Sequence, residues 1–388
     1  MTLIPRTIFE EEHEQFRDTA RRWVADVLAP KVESWRANGE VDRESFLSAG
    51  ENGFLCLWAD EAYGGAGIRD YRFDQVLQEE VVRGADPGFY QNLHSQIVAP
   101  YIDRFGSQAL KDRLMPGAVS GEPILAIAMT DPSAGSDLSG MKTKARQDGD
   151  DWVLSGAKTY ISNGIIADAV VVAARTNPEK SHAIGLFVVE TGMQGFARGQ
   201  RLKKTGLDAQ DTAELFFDEV RVPAENVLGD PEKGFAYMSE LLATERLMVA
   251  IGSMAHAQAA FDETMAYITE RRAFGRPVGA FQESRFTMAR MRTEIDIAQC
   301  FTDDCVMLAN DGRLSPEVAA EVKQVTTDLE NRVIDRCVQL HGGAGFMDEY
   351  RVSRMYRDAR VSRIFAGSNE IMKEIVARGL GFDARKMS

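Results

Sequence analysis

The sequence predicts an α+β protein that is mainly helical: an N-terminal helical bundle, a middle antiparallel β-barrel or sandwich, and a C-terminal four-helix bundle. Three observations carry this. Apolar residues recur at helical spacing up to about residue 123, short β-rich runs separated by Gly, Asp, Asn and Pro turns replace them from residue 124, and long helical patterns return after Gly234. The expected domains are therefore residues 1–123, 124–233 and 234–388.

In the first part, helical periodicity runs over Phe9 to Ala29, Phe46 to Leu57, Phe73 to Val82 and Leu93 to Phe105. Pro30, Gly64-Gly65, Gly67 and Asp86-Pro87-Gly88 break it. Ala62-Tyr63-Gly64-Gly65-Ala66-Gly67 does not follow a strand or open a βαβ unit, so it reads as a turn and not as a nucleotide loop. In the middle part the expected strands are Ile124 to Met129, Trp152 to Leu154, Thr159 to Ile161, Ala169 to Ala173, Gly185 to Val189 and Ala213 to Phe217. In the last part, helices are expected over Phe235 to Arg272 and Phe281 to Leu308. A third begins with Ser315 as N-cap and Pro316 at the first helical position, with Val318, Val322, Val325, Leu329, Val333, Cys337 and Leu340 as its apolar stripe.

Composition excludes several classes. A formal charge of -14 leaves no general excess of cations for nucleic acid. No apolar run approaches the roughly 20 residues that a membrane span needs. The chain passes from Met1 into a charged helical pattern without a targeting segment, and its four cysteines lack disulfide or metal spacing, so reduced thiols in a cytoplasm-like compartment are expected. Five scattered histidines suggest no metal site.

Three stretches carry chemistry. Ala126-Ile127-Ala128-Met129-Thr130-Asp131-Pro132-Ser133-Ala134-Gly135-Ser136-Asp137 is a strand entering a small-residue turn that exposes backbone donors and hydroxyls. Lys158-Thr159-Tyr160-Ile161-Ser162 brings an aromatic and a hydroxyl to a strand end. Near the C-terminus, the turns Gln339-Leu340-His341-Gly342-Gly343 and Ala366-Gly367-Ser368-Asn369 bracket an Arg-rich segment; glycines and helix N-termini of this kind suit an anionic ligand.

Together, and in helical–β–helical order over essentially the whole chain, these stretches resemble the acyl-CoA dehydrogenase family of flavoenzymes. The resemblance implies FAD as cofactor, with Met129, Thr130, Tyr160, Ile161 and Ser162 at the isoalloxazine and Ser136 at both cofactor and pantetheine. Tyr160 and Ser162 stand where family members typically have Trp and Thr, keeping ring and hydroxyl. It implies that Arg271, Phe281, Gln282, Gln339, Gly342 and Gly343 close the FAD site of a neighbouring subunit, as in a homotetramer built as a dimer of dimers. Ser368 and Glu370 would also meet the cofactor, and Arg246, Ala366 and Gly367 the substrate.

Most of the family has its catalytic Glu where this chain has Ala366. The long-chain and isovaleryl branches instead carry Glu within a Glu-Arg pair in the helix after the β domain, where this chain has Glu245-Arg246; its C-terminal string looks most like the long-chain branch. The expectation is therefore that Glu245 removes the α-proton of an acyl thioester, that Ala366 N–H binds the thioester oxygen, and that Glu370 and Glu374 are the competing bases. Ala243 and Ala250 would deepen an acyl pocket. The implied reaction is FAD-dependent α,β-dehydrogenation in fatty-acid β-oxidation, with electrons passed to an electron-transferring flavoprotein or equivalent acceptor. A flavin oxidase using oxygen and a non-catalytic acyl-CoA- or FAD-binding subunit are the alternatives.

Overall fold

The computed structural model describes residues 3–180 and 182–383. Helices α1 (Glu11–Trp23), α2 (Val32–Asn38), α3 (Arg43–Glu51), α4 (Tyr71–Gly84), α5 (Ala99–Phe105) and α6 (Gln108–Ser120) form the N-terminal part. Pro30 falls in a short tight turn between α1 and α2, as its missing N–H requires. Asp42, Asp70 and Ser107 cap α3, α4 and α6 by accepting N–H groups of Ser45, Arg72 and Leu110. The helix expected over Phe46 to Leu57 stops at Glu51, with Gly53 just beyond in a left-handed conformation. α6 lies where periodicity predicts nothing: Pro116 and Gly117 are breakers by type, yet the Ser107 cap and buried Leu110, Leu114, Met115 and Ala118 hold the helix.

The middle part is a seven-stranded curled sheet: β1 (Leu125–Ala128), β2 (Lys144–Asp148), β3 (Asp151–Ser162), β4 (Ala169–Arg175), β5 (Ile184–Glu190), β6 (Phe196–Arg201) and β7 (Thr212–Val222). The order is β1-β4-β2-β3-β7-β6, with β5 on β4. β3 joins two expected runs into one strand, with irregular register between Leu154 and Gly156 and between Lys158 and Ile161. The sheet is mixed where antiparallel pairing is expected, because β4 pairs parallel with β1 and, at Lys144–Arg175, with β2. The intervening hairpin supplies the long crossover that parallel neighbours need. β2 is mostly exposed and β6 exposed or half-buried, and both are largely polar, so no apolar alternation announces them.

The last part begins with α7 (Gly234–Glu270), 37 residues long, which spans about 55 Å at 1.5 Å per residue. A hairpin of β8 (Arg272–Ala273) and β9 (Arg276–Pro277) turns at Phe274 and Gly275, both of positive φ, the geometry that fits the twist of a two-residue hairpin loop. α8 (Gln282–Asn310), α9 (Pro316–His341), α10 (Arg351–Ala359) and α11 (Asn369–Gly379) follow. Ser315 caps α9 by accepting Val318 N–H. The α9 stripe is corrected in part: Val322, Leu329, Val333 and Cys337 are buried, but Val325 is 43% exposed while Lys323, Thr326, Thr327 and Glu330 are buried. α9 packs against both α7 and α11, so its buried surface is wider than one stripe.

Two arginines tie the parts together. Arg6 reaches Glu79 of α4 at 2.7 Å and Asp303 of α8 at 2.6 Å. Arg36 of α2 reaches Asp86 at 2.9 Å, Asp208 in the β6–β7 connection at 2.8 Å and Asp358 of α10 at 3.3 Å. Among the described residues no helix is long and apolar enough to cross a membrane, and no cluster of His, Cys, Asp or Glu could hold a metal ion. The cysteines are free.

Candidate active site

A cavity of about 900 Å³ lies where the sheet, α4, α7 and the start of α11 meet. Its wall contains Met129, Thr130 and Ser136 after β1, Tyr160, Ile161 and Ser162 at the end of β3, Glu245 and Arg246 of α7, and Ala366 and Gly367 before α11. Ten predicted site residues thus come together from four distant stretches.

The two sheet segments are joined from behind. Lys158, fully buried in β3, donates to Met129 O at 2.9 Å and to Asp131 Oδ1 at 2.6 Å, and Thr159 N donates to Thr130 O at 3.0 Å. Asp131 also accepts from Thr143 N and Oγ1 at 2.8 and 3.0 Å. Burial pushes the Lys158 ammonium down to about 8 against the pull of Asp131. Burial works on Asp131 in the opposite sense, but Lys158 and the backbone donors hold its carboxyl below the usual range. Just past this anchor Tyr160 has φ 60° and stands 72% exposed at the cavity rim.

On α7, burial raises the Glu245 carboxyl to about 7, with Arg246 and Lys323 pulling the other way. Arg246 acts through space; no ion pair joins it to Glu245 among the described residues. Its Nε is buried without a partner. In the same cavity wall, Ala366 and Gly367 have φ 53° and 88°, a conformation costly for a non-glycine residue and found where surroundings enforce it. The enforcing group is Lys323 of α9, whose ammonium donates to Gly367 O at 2.8 Å and Asn369 Oδ1 at 3.0 Å. No protein acceptor takes the Ala366 or Gly367 N–H among the described residues. Those donors suit a carbonyl oxygen that gains charge.

Other expected residues lie elsewhere. Ser368 and Glu370 flank the start of α11 outside the cavity wall; the backbone N–H and Ser368 hydroxyl keep the exposed Glu370 carboxyl below its ordinary value. Glu374 reaches the wall but pairs with Arg378 at 2.7 Å. Arg271, Phe281, Gln282, Gln339, Gly342 and Gly343 do not border the cavity. They sit where α7 and α9 end, held by the Tyr267–His341 stack with ring centroids 4.2 Å apart. A side-chain carbon added at Gly342 or Gly343 would meet nothing, so this is an open surface. Sequence reasoning missed Lys158, Asp131, Lys323 and Asn369. A lysine amid β-branched strand residues, and another beside the apolar stripe of α9, were the available signals.

Residues 10–122, 126–220 and 232–381 match the family descriptions "Acyl-CoA dehydrogenase, N-terminal domain", "middle domain" and "C-terminal domain". The chain is 43% identical over 382 residues to the mitochondrial long-chain specific acyl-CoA dehydrogenase of Sus scrofa, covering 97% of this chain and 88% of that one. A solved acyl-CoA dehydrogenase from Geobacillus kaustophilus is 43% identical, with TM-score 0.95 and 97% and 100% of the two chains covered. A glutaryl-CoA dehydrogenase from Mycobacterium smegmatis, solved in complex with FADH2, is 27% identical, with TM-score 0.91 and 97% and 96% covered. With three consecutive domains matched and the same three-part fold, this chain belongs to the acyl-CoA dehydrogenase family.

Proposed function

We propose that this protein is an FAD-dependent acyl-CoA dehydrogenase that converts an acyl-CoA thioester to the trans-2-enoyl-CoA, with Glu245 as the base. The observation that carries this is the Glu245 carboxyl, raised to about 7 by burial, in the wall of the same cavity as the unpaired N–H groups of Ala366 and Gly367. A base whose pKa lies near the working pH is strong enough to take a weakly acidic α-proton and is still largely ionised. The two N–H groups hold the thioester oxygen as enolate charge develops. Glu374, tied to Arg378, is the weaker candidate.

The wall fits the cofactor. Met129 and Ile161 offer apolar surface, Thr130 and Ser162 offer hydroxyl and backbone groups, and Lys158 locks the two segments at fixed spacing. Bound there, FAD supplies the acceptor, at N5, for the hydride leaving the β-carbon. Ser136 holds the pantetheine arm. Arg271, Phe281, Gln282, Gln339, Gly342 and Gly343, remote from the cavity, serve the FAD of a neighbouring subunit in a tetramer built as a dimer of dimers. Ser368 and Glu370, at the start of α11 and outside the cavity wall, would meet the cofactor beyond it. An electron-transferring flavoprotein or equivalent acceptor takes the electrons, and the reaction opens a round of β-oxidation in the cytoplasm.

Anaerobic addition of acyl-CoA to the FAD-loaded protein tests the assignment by bleaching of the flavin absorbance. The Glu245→Gln variant is expected to bleach roughly 10²–10⁴ times more slowly. Bleaching at the wild-type rate in that variant would remove Glu245 from the role of base. Rapid oxygen consumption during turnover would favour the oxidase instead.

A further inference from the structure

The inner wall of the cavity contains a polar cluster that the dehydrogenation does not use. His256 of α7 and Glu330 of α9 are each 3% exposed and joined by a 2.7 Å contact between His256 Nδ1 and Glu330 Oε1. Both line the cavity. Neither His256 Nε2 nor Glu330 Oε2 has a partner. Gln78 of α4 lines it too; its amide nitrogen donates to Met248 O at 3.0 Å and its Oε1 is unpaired. Gly252, one turn before His256, allows this approach, since a side-chain carbon there would lie 2.5 Å from Gln78 Nε2.

Two of the unpaired atoms have a fixed role: Glu330 Oε2 and Gln78 Oε1 are acceptors. A carboxylate only accepts, so His256 Nδ1 is the donor in the 2.7 Å contact, and Nε2 accepts from a hydroxyl as neutral imidazole or donates to one as imidazolium. The site therefore needs a hydrogen-bond donor, and a plain hydrocarbon tail would leave these atoms buried and unmatched.

Its place along the cavity is equally defined. His256 follows Glu245 by about three helical turns on one face of α7, with Val249 and Gly252 between them on the wall. Val81, Val82 and Phe89 make the neighbouring wall apolar. An acyl chain starting at Glu245 would run along that apolar surface and reach the cluster after about 16 Å.

We propose that this cluster is a hydroxyl-binding site, and that the acyl thioester processed here carries a hydroxyl group roughly a dozen extended-chain bonds beyond the thioester carbonyl. The proposal rests on the dehydrogenase reading of the same cavity.

The test is calorimetric titration of the FAD-loaded protein with non-oxidisable thia-acyl-CoA thioesters of one long chain length, plain or with a hydroxyl scanned along the far half. The expected result is a binding optimum at one hydroxyl position, about tenfold tighter than the plain chain. The His256→Leu/Glu330→Leu double variant should abolish that preference while still binding the plain chain. Equal affinity for plain and hydroxylated chains at every position would overturn the proposal, and so would an unchanged preference in the double variant. The wild-type scan decides the matter even where the double variant does not fold. Flavin bleaching by the plain oxidisable chain is read in parallel. Its absence overturns the dehydrogenase reading, whereas bleaching without hydroxyl preference overturns only the site proposed here.

Discussion

Glu245 shows how a residue acquires chemistry from where the fold puts it. Its position in a Glu-Arg pair was legible in the sequence, but its pKa was not, because burial between α7 and its neighbours raises it from 4.5 to about 7. The carboxyl is protonated below that value, so kcat/KM should rise with pH at unit slope and level off above about 7; a profile flat across that range would contradict the role. Between 4.5 and 7 the folded protein holds a proton that the unfolded chain has lost, so this group's contribution to stability falls as pH rises through that window. Glu245→Gln should therefore raise the Tm of the FAD-loaded protein more at pH about 8 than at pH about 5. Lys323 belongs to the same scale. Lys323→Met would leave Gly367 O without its buried donor, at about 1–3 kcal/mol, and should slow flavin bleaching as the Ala366–Gly367 turn relaxes. Loss of stability with unchanged bleaching would reduce Lys323 to a packing role.

Among the elements, the long periodic helices α7, α8 and α9 were readable because each buries many apolar residues at regular spacing. α6 was hidden by Pro116, and β2 and β6 by surfaces too polar to alternate. The parallel pairing of β1 with β4 depends on a contact between segments about forty residues apart, which local pattern does not encode. The anchor between β1 and β3 was missed for a related reason: Lys158 and Asp131 look like ordinary surface residues until the strands meet. Breaking it from one side should be severe. Lys158→Met leaves the buried Asp131 without its countercharge and should cost roughly 3–5 kcal/mol in denaturant unfolding, with weakened FAD retention because Met129 and Thr130 lose their fixed spacing from Ile161 and Ser162. A cost below about 1 kcal/mol would show that water takes over the role of the ammonium.

For the whole molecule, the three-part order was legible from changes of hydrophobic period alone, whereas the division of the site residues into two places came only from the family resemblance and not from any local pattern. One group surrounds the cavity and the other lies on an open face where Phe274 is 96% and Phe346 83% exposed. If that face completes a neighbour's site, FAD retention should depend on protein concentration and fall together with assembly mass in light scattering. Gly342→Asp should reduce both; a dilute monomer that keeps its FAD would refute the shared site.

The Arg36 cluster has a mechanical consequence. One buried guanidinium is gripped by carboxylates from the N-terminal part, the β6–β7 connection, and α10. It works as a rivet between plates: parting the N-terminal helices from α10 would strand the buried Asp358 carboxylate. Admission of a substrate then falls to rotations of side chains at the cavity mouth, and X-ray scattering profiles recorded with and without a bound thioester should superimpose.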